Sequence, residues 1–300
     1  MEYIILDNEW HTPYCKINGK CINELIEIGA VKLDENLNEI SRFSVLIKST
    51  FTKKLSTRFQ RLTNITTEEM LQNGMTFDQA VNLYCEWAGK DAVTMTWSNS
   101  DLYVLLENFR FRRKINTVPM IGKYLDLQKY VQNEMILKGS KITSQVSVSN
   151  MAIMLGMSID GIGLHRALDD SLLCAEMLRK VYNKERLHSY IIDTSVPDYY
   201  ARLTFKAYII RDLNSPLVNK KKMDFKCEKC GRDAKRMTPW SFKGNYFKAE
   251  FSCNCGNKFV GRVAFKKYYD KVVVKHNTVP IPATVKKVEK SDKPIEEAQN

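Results

Sequence analysis

The sequence lacks any apolar run long enough to span a membrane, and it has no charged N-terminal segment followed by an apolar stretch. Neither a transmembrane helix nor a secretory signal peptide is therefore predicted. No internal repeat is found along the chain either. The 300 residues are 44% hydrophobic and 27% charged, which is typical of a globular protein with one substantial core and a small appendage. We predict a cytoplasmic protein without membrane contact.

Net charge is also absent from the first two thirds of the chain. Residues 1–204 contain 24 basic residues (Lys and Arg) and 24 acidic residues (Asp and Glu). Residues 205–300 contain 22 basic and 10 acidic residues and so carry the whole net charge of +12. A neutral body with a basic end favours an anionic polymer as the partner. The alternative is a lysine-rich end that only solubilises the chain.

The order of the predicted elements indicates a mixed α/β fold. Short apolar stretches predict three early strands at residues 3–7, 25–33 and 40–47, connected as an antiparallel meander. Helical periodicity then alternates with further strands. The predicted helices are 76–87, 101–113, 127–137, 148–155 and 166–182, and the predicted strands are 92–97 and 120–125. This order predicts a mixed sheet covered by helices.

Changes in composition divide the chain into four segments. Residues 1–185 form the main domain, and residues 186–224 form a connecting segment with weak periodicity. Residues 225–275 are basic, aromatic and cysteine-bearing, and they predict a small module. Residues 276–300 carry prolines among Lys and Glu, which predicts a disordered tail.

Two acidic residues lie at the end of the first predicted strand. Asp7 and Glu9 are two residues apart, so their side chains are expected on one face. Carboxylates that lie side by side repel each other unless a cation sits between them, and magnesium prefers carboxylate oxygens. For this pair alone, an acidic strand end without a ligand is the simpler interpretation.

Further acidic residues occur at predicted helix starts. Asp101 follows the strand that ends near Trp97, and Asp170 lies in the first turns of a later helix, just after His165. Glycines at 161 and 163 predict a turn into that helix. Taken singly, these acids can serve as helix-end charges, and the histidine can be an ordinary surface residue.

Taken in order, these segments resemble the DEDDh exonucleases, the superfamily of DNA-polymerase proofreading subunits, oligoribonuclease and ribonuclease T. The matching stretches are residues 4–9, 24–31, 62–66, 76–77 and 96–101, followed by His165 and, after four residues, Asp170. The resemblance spans residues 1–185. Residues 10–13 depart from the Thr-Thr-Gly run of many members, so Trp10 is either a stacking surface or part of the core. Residues 13–23 are an insertion.

The resemblance implies a ribonuclease H-like mixed sheet flanked by helices, and a 3′-5′ exonuclease acting on single-stranded DNA or RNA with release of 5′-mononucleotides. It implies that two Mg²⁺ or Mn²⁺ ions are held by Asp7, Glu9, Asp101 and Asp170. His165 would be the general base, and Asp169 would only support its neighbours. Such residue types suit phosphodiester hydrolysis, which needs an activated water and a stabilised leaving oxygen. Relatives such as ribonuclease T are dimers, so a homodimer is also an expectation.

The second module contains two cysteine pairs, Cys227 with Cys230 and Cys253 with Cys255. Paired cysteines in a chain without an export signal indicate metal binding instead of disulfides. Four thiolates fit a closed, structural Zn²⁺ site, and each pair precedes a glycine, as in the zinc ribbons that this module resembles. The second pair has one intervening residue where two are commoner, and iron is the alternative metal.

The aromatic and basic residues between the pairs leave the role of the module open. They are Trp240, Phe242, Tyr246, Phe247 and Phe251 with Lys235, Arg236, Lys243 and Lys248. Such interleaving favours nucleic-acid binding, whereas each aromatic taken singly is more simply a core residue.

Two other functions also stay open for the chain. One is an inactive exonuclease-like scaffold whose zinc ribbon binds nucleic acid or protein, and the other is a hydrolase of deoxynucleotides or very short oligonucleotides.

Overall fold

The computed structural model describes residues 1–15, 19–159 and 165–281. The chain divides between Thr204 and Phe205 into two compact units, each with its own sheet and core. This division falls inside the predicted connecting segment, because residues up to 204 form elements of the first unit and the following residues supply the second core. The predicted turn at 161–164 and most of the predicted tail lie outside the described residues.

The first unit alternates strands and helices. Its described strands are β1 (Tyr3–His11), β2 (Tyr14–Cys15), β3 (Lys20–Cys21), β4 (Glu24–Leu33), β5 (Glu39–Leu46), β6 (Val93–Thr96), β7 (Lys123–Asp126) and β8 (Ile192–Asp193). Its described helices are α1 (Thr57–Thr63), α2 (Thr67–Asn73), α3 (Phe77–Ala88), α4 (Ser100–Arg113), α5 (Leu127–Leu137), α6 (Val148–Met154), α7 (Ala167–Val181), α8 (Lys184–Ser189) and α9 (Tyr199–Thr204). Within the described ranges, no helix combines the length and apolarity that crossing a membrane requires.

One mixed sheet organises this unit, with the strand order β5-β4-β1-β6-β7-β8. Strands β5, β4 and β1 are antiparallel, β1, β6 and β7 run parallel, and β8 returns antiparallel at the edge. The predicted meander is therefore present. The prediction of a ribonuclease H-like mixed sheet flanked by helices is confirmed.

Helices cover both faces of the sheet. Successive residues of its central strand β1 point to opposite faces, so each face of this strand packs against its own set of helices. Ile4 and Leu6 belong to a core cluster with α3 and α4, whereas Tyr3 and Ile5 belong to one with α5, α6 and α7. These four side chains are at most 1% exposed. The polar residues that follow Leu6 therefore emerge from a strand buried on both faces, where their positions are well fixed.

The strand β1 is longer than predicted. It continues past Glu9 to His11 because β4 pairs with it as far as Glu24. Trp10 is partly buried and packs against the core cluster of α3 and α4, so core packing accounts for at least part of its ring. In the insertion at residues 13–23, β2 and β3 form a short hairpin.

The second unit is a small antiparallel sheet. Its described elements are a 3-10 helix (Lys220–Met223) and the strands β9 (Tyr208–Ile209), β10 (Lys235–Arg236), β11 (Ser241–Lys243), β12 (Tyr246–Ser252), β13 (Lys258–Lys267) and β14 (Val272–Pro280). The strand order is β10-β12-β13-β14, with β11 beside β12 and β9 beside β13. The strand β14 includes residues 276–280, which the composition assigned to the tail, because β13 pairs with it along its whole length.

One face of this second sheet is packed as a core. Phe247, Phe251, Phe259 and Phe265 are at most 5% exposed and pack with the chain that precedes β10. Phe242 and Trp240 are partly buried against the same cluster. Most aromatics between the cysteine pairs therefore build the core, as predicted for each of them singly.

Candidate active site

The strand β1 carries two acidic side chains towards one side of the sheet. Asp7 and Glu9 are both partly buried and pair with Gly29 and Glu27 of β4. A β-bulge follows between Glu9 and Trp10. Bulges bend a strand and re-aim its side chains, and they are common beside active sites. The bulge therefore bends β1 directly after its two acidic residues.

Helix α7 brings a third carboxylate, that of Asp170, to the same side. The helix packs tightly on β4 because Gly29 has no side chain: a Cβ there would lie 2.1 Å from the backbone nitrogen of Leu168. The buried Ser171 hydroxyl donates to the Gly29 carbonyl oxygen at 3.1 Å. Because Gly29 pairs with Asp7, this contact holds the first turns of α7 beside the acidic residues of β1.

Carboxylate oxygens of Asp7, Glu9 and Asp170 lie within 4.8 Å of one another, and we call these three residues the carboxylate group. Asp101, in the first turn of α4, is not part of this group in the described structure. Its Oδ1 accepts hydrogen bonds from the backbone N–H of Asn8 at 2.9 Å and from the Asn8 side chain at 3.2 Å. Asn8 alternates with Asp7 and Glu9 along β1, so it points to the face covered by α4.

His165 precedes α7 in a left-handed backbone conformation, with φ at 72°. Its backbone N–H donates to Oδ2 of Asp170 at 3.2 Å, and the residue is exposed. Non-glycine residues seldom adopt this conformation, and those that do are often found at functional sites. The backbone of His165 is therefore held directly beside Asp170, a member of the carboxylate group. Asp169, the neighbour of Asp170, is not part of that group among the described residues.

Two residues that sequence reasoning missed hold this arrangement together. Glu27 is 1% exposed, and its carboxylate accepts hydrogen bonds from the Arg166 guanidinium at 2.8 Å and from the Ala167 backbone N–H at 3.1 Å. Arg166 also reaches Glu69 at 3.4 Å. A buried carboxylate at the first residues of α7 stabilises that helix end. The available signal was a glutamate flanked by the isoleucines of β4.

The four acidic residues disfavour one another's ionisation. Burial, followed by the charges of Asp101 and Asp170, raises the pKa of Asp7 well above its usual range. Burial and the charge of Asp170 raise the pKa of Glu9 to about 8. Burial raises the pKa of Asp101 to about 7, against the hydrogen bonds that it accepts. The pKa of Asp170 is also raised by burial, although the His165 N–H and imidazole oppose the shift. Such a set indicates a site suited to a cation.

The second unit contains a separate group of four cysteines, Cys227, Cys230, Cys253 and Cys255, whose sulfur atoms lie within 4.8 Å of one another. The sulfurs of Cys227 and Cys255 are 3.6 Å apart, and those of Cys230 and Cys253 are 3.4 Å apart. Four ligands at a Zn–S distance of about 2.3 Å would be separated by about 3.8 Å in a tetrahedron. The cysteine geometry is therefore compatible with zinc.

Each cysteine pair forms a turn that is closed by a glycine, over four residues in the first pair and over three in the second. The N–H of Gly231 donates to the Cys227 carbonyl at 2.8 Å, and that of Gly256 donates to the Cys253 carbonyl at 2.9 Å. Both glycines are left-handed, with φ at 71° and 86°. Burial raises the pKa of Cys227, but hydrogen bonds from the Asn257 side chain and from backbone N–H groups outweigh it and bring the pKa to about 6. This favours the thiolate, the form that binds metal.

A family model described as Exonuclease (RNase T) matches residues 15–178, more than half of the chain. The chain belongs to this exonuclease family. The matched segment includes Asp101, His165 and Asp170, whereas Asp7 and Glu9 precede it. The resemblance inferred from the motifs is confirmed at the level of the family. No curated protein sequence matches the chain.

Solved structures share the fold of this chain. Cell-death related nuclease 4 is similar with a TM-score of 0.51 and 22% identity, over 60% of this chain and 62% of that one. The nuclease domain of 3′hExo, a DEDDh family member bound to rAMP, has a TM-score of 0.51 and 24% identity. The match covers 60% of this chain and 90% of that one. A full-length 3′-exonuclease has a TM-score of 0.52 and 20% identity. The match covers 65% of this chain and 91% of that one. The match thus covers less than two thirds of the length of cell-death related nuclease 4.

The raised carboxylate pKa values predict an unusual pH dependence of stability for the protein without bound metal. Glu9 has a usual pKa of 4.5, which the folded protein raises to about 8, so the folded chain binds protons that the unfolded chain has released. Stability contributed by this group is therefore present below pH 4.5 and is lost as the pH rises towards 8. Thermal unfolding of dialysed protein between these two values should show a falling melting temperature. A melting temperature that rises throughout this range would contradict the prediction.

Gly29→Ala should weaken both the fold and the site. The added Cβ would meet backbone atoms of Ala167 and Leu168 at 2.2 and 2.1 Å, so α7 must move away from β4. We expect a loss of about 1–3 kcal/mol in the free energy of unfolding. We also expect a loss of about a hundredfold in turnover, since Asp170 moves with α7. Chemical denaturation and nucleotide release measure the two effects. Gly122→Ala is the control, because a Cβ there meets nothing within 4 Å.

Proposed function

We propose that this protein hydrolyses single-stranded DNA or RNA from a free 3′ end with Mg²⁺ or Mn²⁺ and releases 5′-mononucleotides. The observation that carries the proposal is the carboxylate group of Asp7, Glu9 and Asp170 beside His165. The three side chains come from segments far apart in the sequence, and their mutual repulsion has no structural benefit without a cation. An inactive scaffold would not need to keep them together.

The donor set fits the metals that the family implies. Carboxylate oxygens are the ligands that Mg²⁺ and Mn²⁺ prefer, and the carboxylate group would hold them together with Asp101. When bound, two such ions would activate the attacking water and stabilise the leaving 3′ oxygen. The residues therefore fit an oxygen-liganded divalent site, and the cysteines of the second unit play no part in it.

The other residues of the site would position the acidic side chains and deprotonate the attacking water. His165 is exposed and anchored through its backbone to Asp170, so its imidazole would act as the general base that accepts a proton from the attacking water. Arg166, paired with the buried Glu27, would keep His165 and the start of α7 in place. Asn8 would fix the orientation of the Asp101 carboxylate through two hydrogen bonds.

The test is digestion of end-labelled 30-residue oligonucleotides after dialysis, with Mg²⁺ or Mn²⁺ added back. We expect 5′-label to move stepwise to shorter products, and a 3′-phosphate to block the reaction. Single-stranded DNA, single-stranded RNA, overhanging duplexes and dinucleotides are compared side by side. Absence of cleavage with every substrate and both metals supports the inactive scaffold instead. Cleavage of dinucleotides alone supports the hydrolase of short oligonucleotides.

We also infer that Cys227, Cys230, Cys253 and Cys255 hold one structural Zn²⁺. The four sulfurs form a closed set with spacings near those of a tetrahedral site, which leaves no open position for substrate. The first unit would then be the catalytic domain, and the second would be a metal-stabilised module that is free for another task.

A further inference from the structure

The sheet of the second unit has a face opposite its core, and the strand register shows which residues lie on it. Residues that pair across antiparallel strands share a face. Phe247 pairs with Val263, and both belong to the core. Their neighbours Lys248 and Arg262 also pair, and Arg262 pairs in turn with Asn277, so these three lie on the opposite face. We call this the outer face.

The outer face of β11 to β14 is strongly basic. By register it carries the cations Lys243, Lys248, Lys258, Arg262, Lys266 and Lys275. The same positions include one acid, Glu250, opposite Val260. None of the ion pairs found among the described residues involves any of these cations. A sheet face with this charge pattern is complementary to a polyanion.

A cleft of about 330 Å³ opens on the outer face and adds an aromatic component. Tyr246, Tyr268 and Ala264 line it together with Lys266 and Lys275. The Lys266 ammonium lies 5.2 Å from the centre of the Tyr268 ring. Two aromatic rings beside a small residue can accept a flat, unpaired base, while the lysines bind the adjoining phosphates. The cleft thus has the chemistry of a nucleotide site.

The chain fixes this cleft with a tight turn. Gly244 and Asn245, which also line the cleft, connect β11 to β12 and have φ at 61° and 66°. A two-residue loop with positive φ at both positions matches the twist of a hairpin and sets its register. Lys243 and Tyr246 are consequently held as a cross-strand pair. Ordered positions of this kind reduce the entropy lost on binding.

We propose that the outer face binds single-stranded nucleic acid, with an unpaired base in the cleft and neighbouring phosphates on Lys248, Arg262, Lys266 and Lys275. The charge selects a polyanion, and the tyrosine cleft selects unpaired bases over a duplex. The proposal deepens the proposed function and rests on it for the identity of the polymer. Binding to the outer face does not depend on the carboxylate group.

The test measures binding without turnover in the full-length chain carrying Asp7→Asn. A fluorescent 30-residue oligothymidine is titrated without chelator, so that the cysteine site keeps its metal, and anisotropy is recorded over a range of salt concentrations. The outer-face variant combines Lys248→Glu, Lys266→Glu and Lys275→Glu. Its control combines Lys220→Glu, Lys221→Glu and Lys222→Glu, an equal change of charge on the 3-10 helix, where Met223 packs into the core.

We expect the outer-face variant to bind about tenfold or more weakly at about 0.1 M salt, and its slope of log affinity against log salt to fall by about 2. The control should change affinity less than about threefold. Equal losses in both variants, or no loss in either, would overturn the proposal. The same three lysines changed to Gln provide a milder variant, for which metal content and circular dichroism verify the fold.

The cleft is tested separately with Tyr246→Ala combined with Tyr268→Ala. We expect about tenfold weaker binding of the single strand and little change for a duplex of equal length, since only unpaired bases can stack there. Equal effects on both forms, or none, would overturn the assignment of a base to the cleft. If the wild-type chain proves inactive as a nuclease but these binding results hold, the proposed function fails while the outer-face proposal survives.

Discussion

Glu9→Gln is expected to stop nucleotide release and, at the same time, to stabilise the protein when no divalent ion is bound. Glutamine keeps the size of the side chain but removes a charge that burial and Asp170 disfavour, with a pKa raised to about 8. Loss of one carboxylate should lower turnover about a thousandfold or more, because metal ions contribute several kcal/mol of charge stabilisation. Removal of the repulsion should raise the free energy of unfolding by about 1–3 kcal/mol near pH 8.

Both effects can be measured on one preparation. Nucleotide release gives the loss of turnover, and thermal unfolding of dialysed protein gives the gain in stability. The melting temperature should rise by about 2–4 °C for each kcal/mol gained in the free energy of unfolding. Added Mg²⁺ should stabilise the wild type more than the variant. Asp169→Asn is the matched control, since Asp169 lies beside Asp170 but outside the carboxylate group among the described residues. Wild-type turnover in Glu9→Gln would remove Glu9 from the site. Lost turnover with a lower melting temperature would show a structural role instead.

The parts of the site that could be predicted are those set by local periodicity. Asp7 and Glu9 share a side because strand residues alternate, and Asp170 lies in an early turn because the pattern of α7 begins near residue 166. The fold class follows in the same way from the order of strands and helices. Each of these inferences needs only a few consecutive residues, so a single sequence contains the required information.

The parts that could not be predicted depend on contacts between distant segments. Glu27 and Arg166 are 139 positions apart, and their pairing requires that β4 and α7 are already packed together. The hydrogen bonds between Asn8 and Asp101, 93 positions apart, likewise exist only after α4 is placed. No local pattern indicates that Asp101 binds Asn8, whereas Asp7, Glu9 and Asp170 form the carboxylate group.

The second unit shows the same limit on a smaller scale. The interleaved aromatics and cations predict either a core or a binding surface, and composition alone cannot decide between them. The Gly244–Asn245 turn sets the register of β11 against β12, and this register sends Phe247 inwards and Lys248 outwards. A shift by one residue would exchange the two faces. The pattern therefore becomes informative only once the turn is known.

Cys227→Ser should unfold most of the second unit while the first unit stays folded. A structural zinc site contributes about 10–16 kcal/mol of apparent binding free energy, and a small sheet cannot replace that amount with its own core. Cys227 is the deepest ligand, at 1% exposed, and its sulfur also accepts a hydrogen bond from Asn257. Hydrogen exchange should therefore report loss of protection in β12 and β13, and elemental analysis should show that about one equivalent of zinc has been lost.

The division of the chain between Thr204 and Phe205 makes the consequence specific. Strands β1, β4 and β6 should keep their exchange protection, and turnover of a dinucleotide should stay close to that of the wild type, because the carboxylate group lies entirely in the first unit. Cys85→Ser, at an exposed position of the first unit, is the control and should alter neither zinc content nor protection. Iron in place of zinc would contradict the metal assignment. A fully protected β12 in metal-free Cys227→Ser would show that the phenylalanine core suffices without any metal, and the cysteines would then need another role.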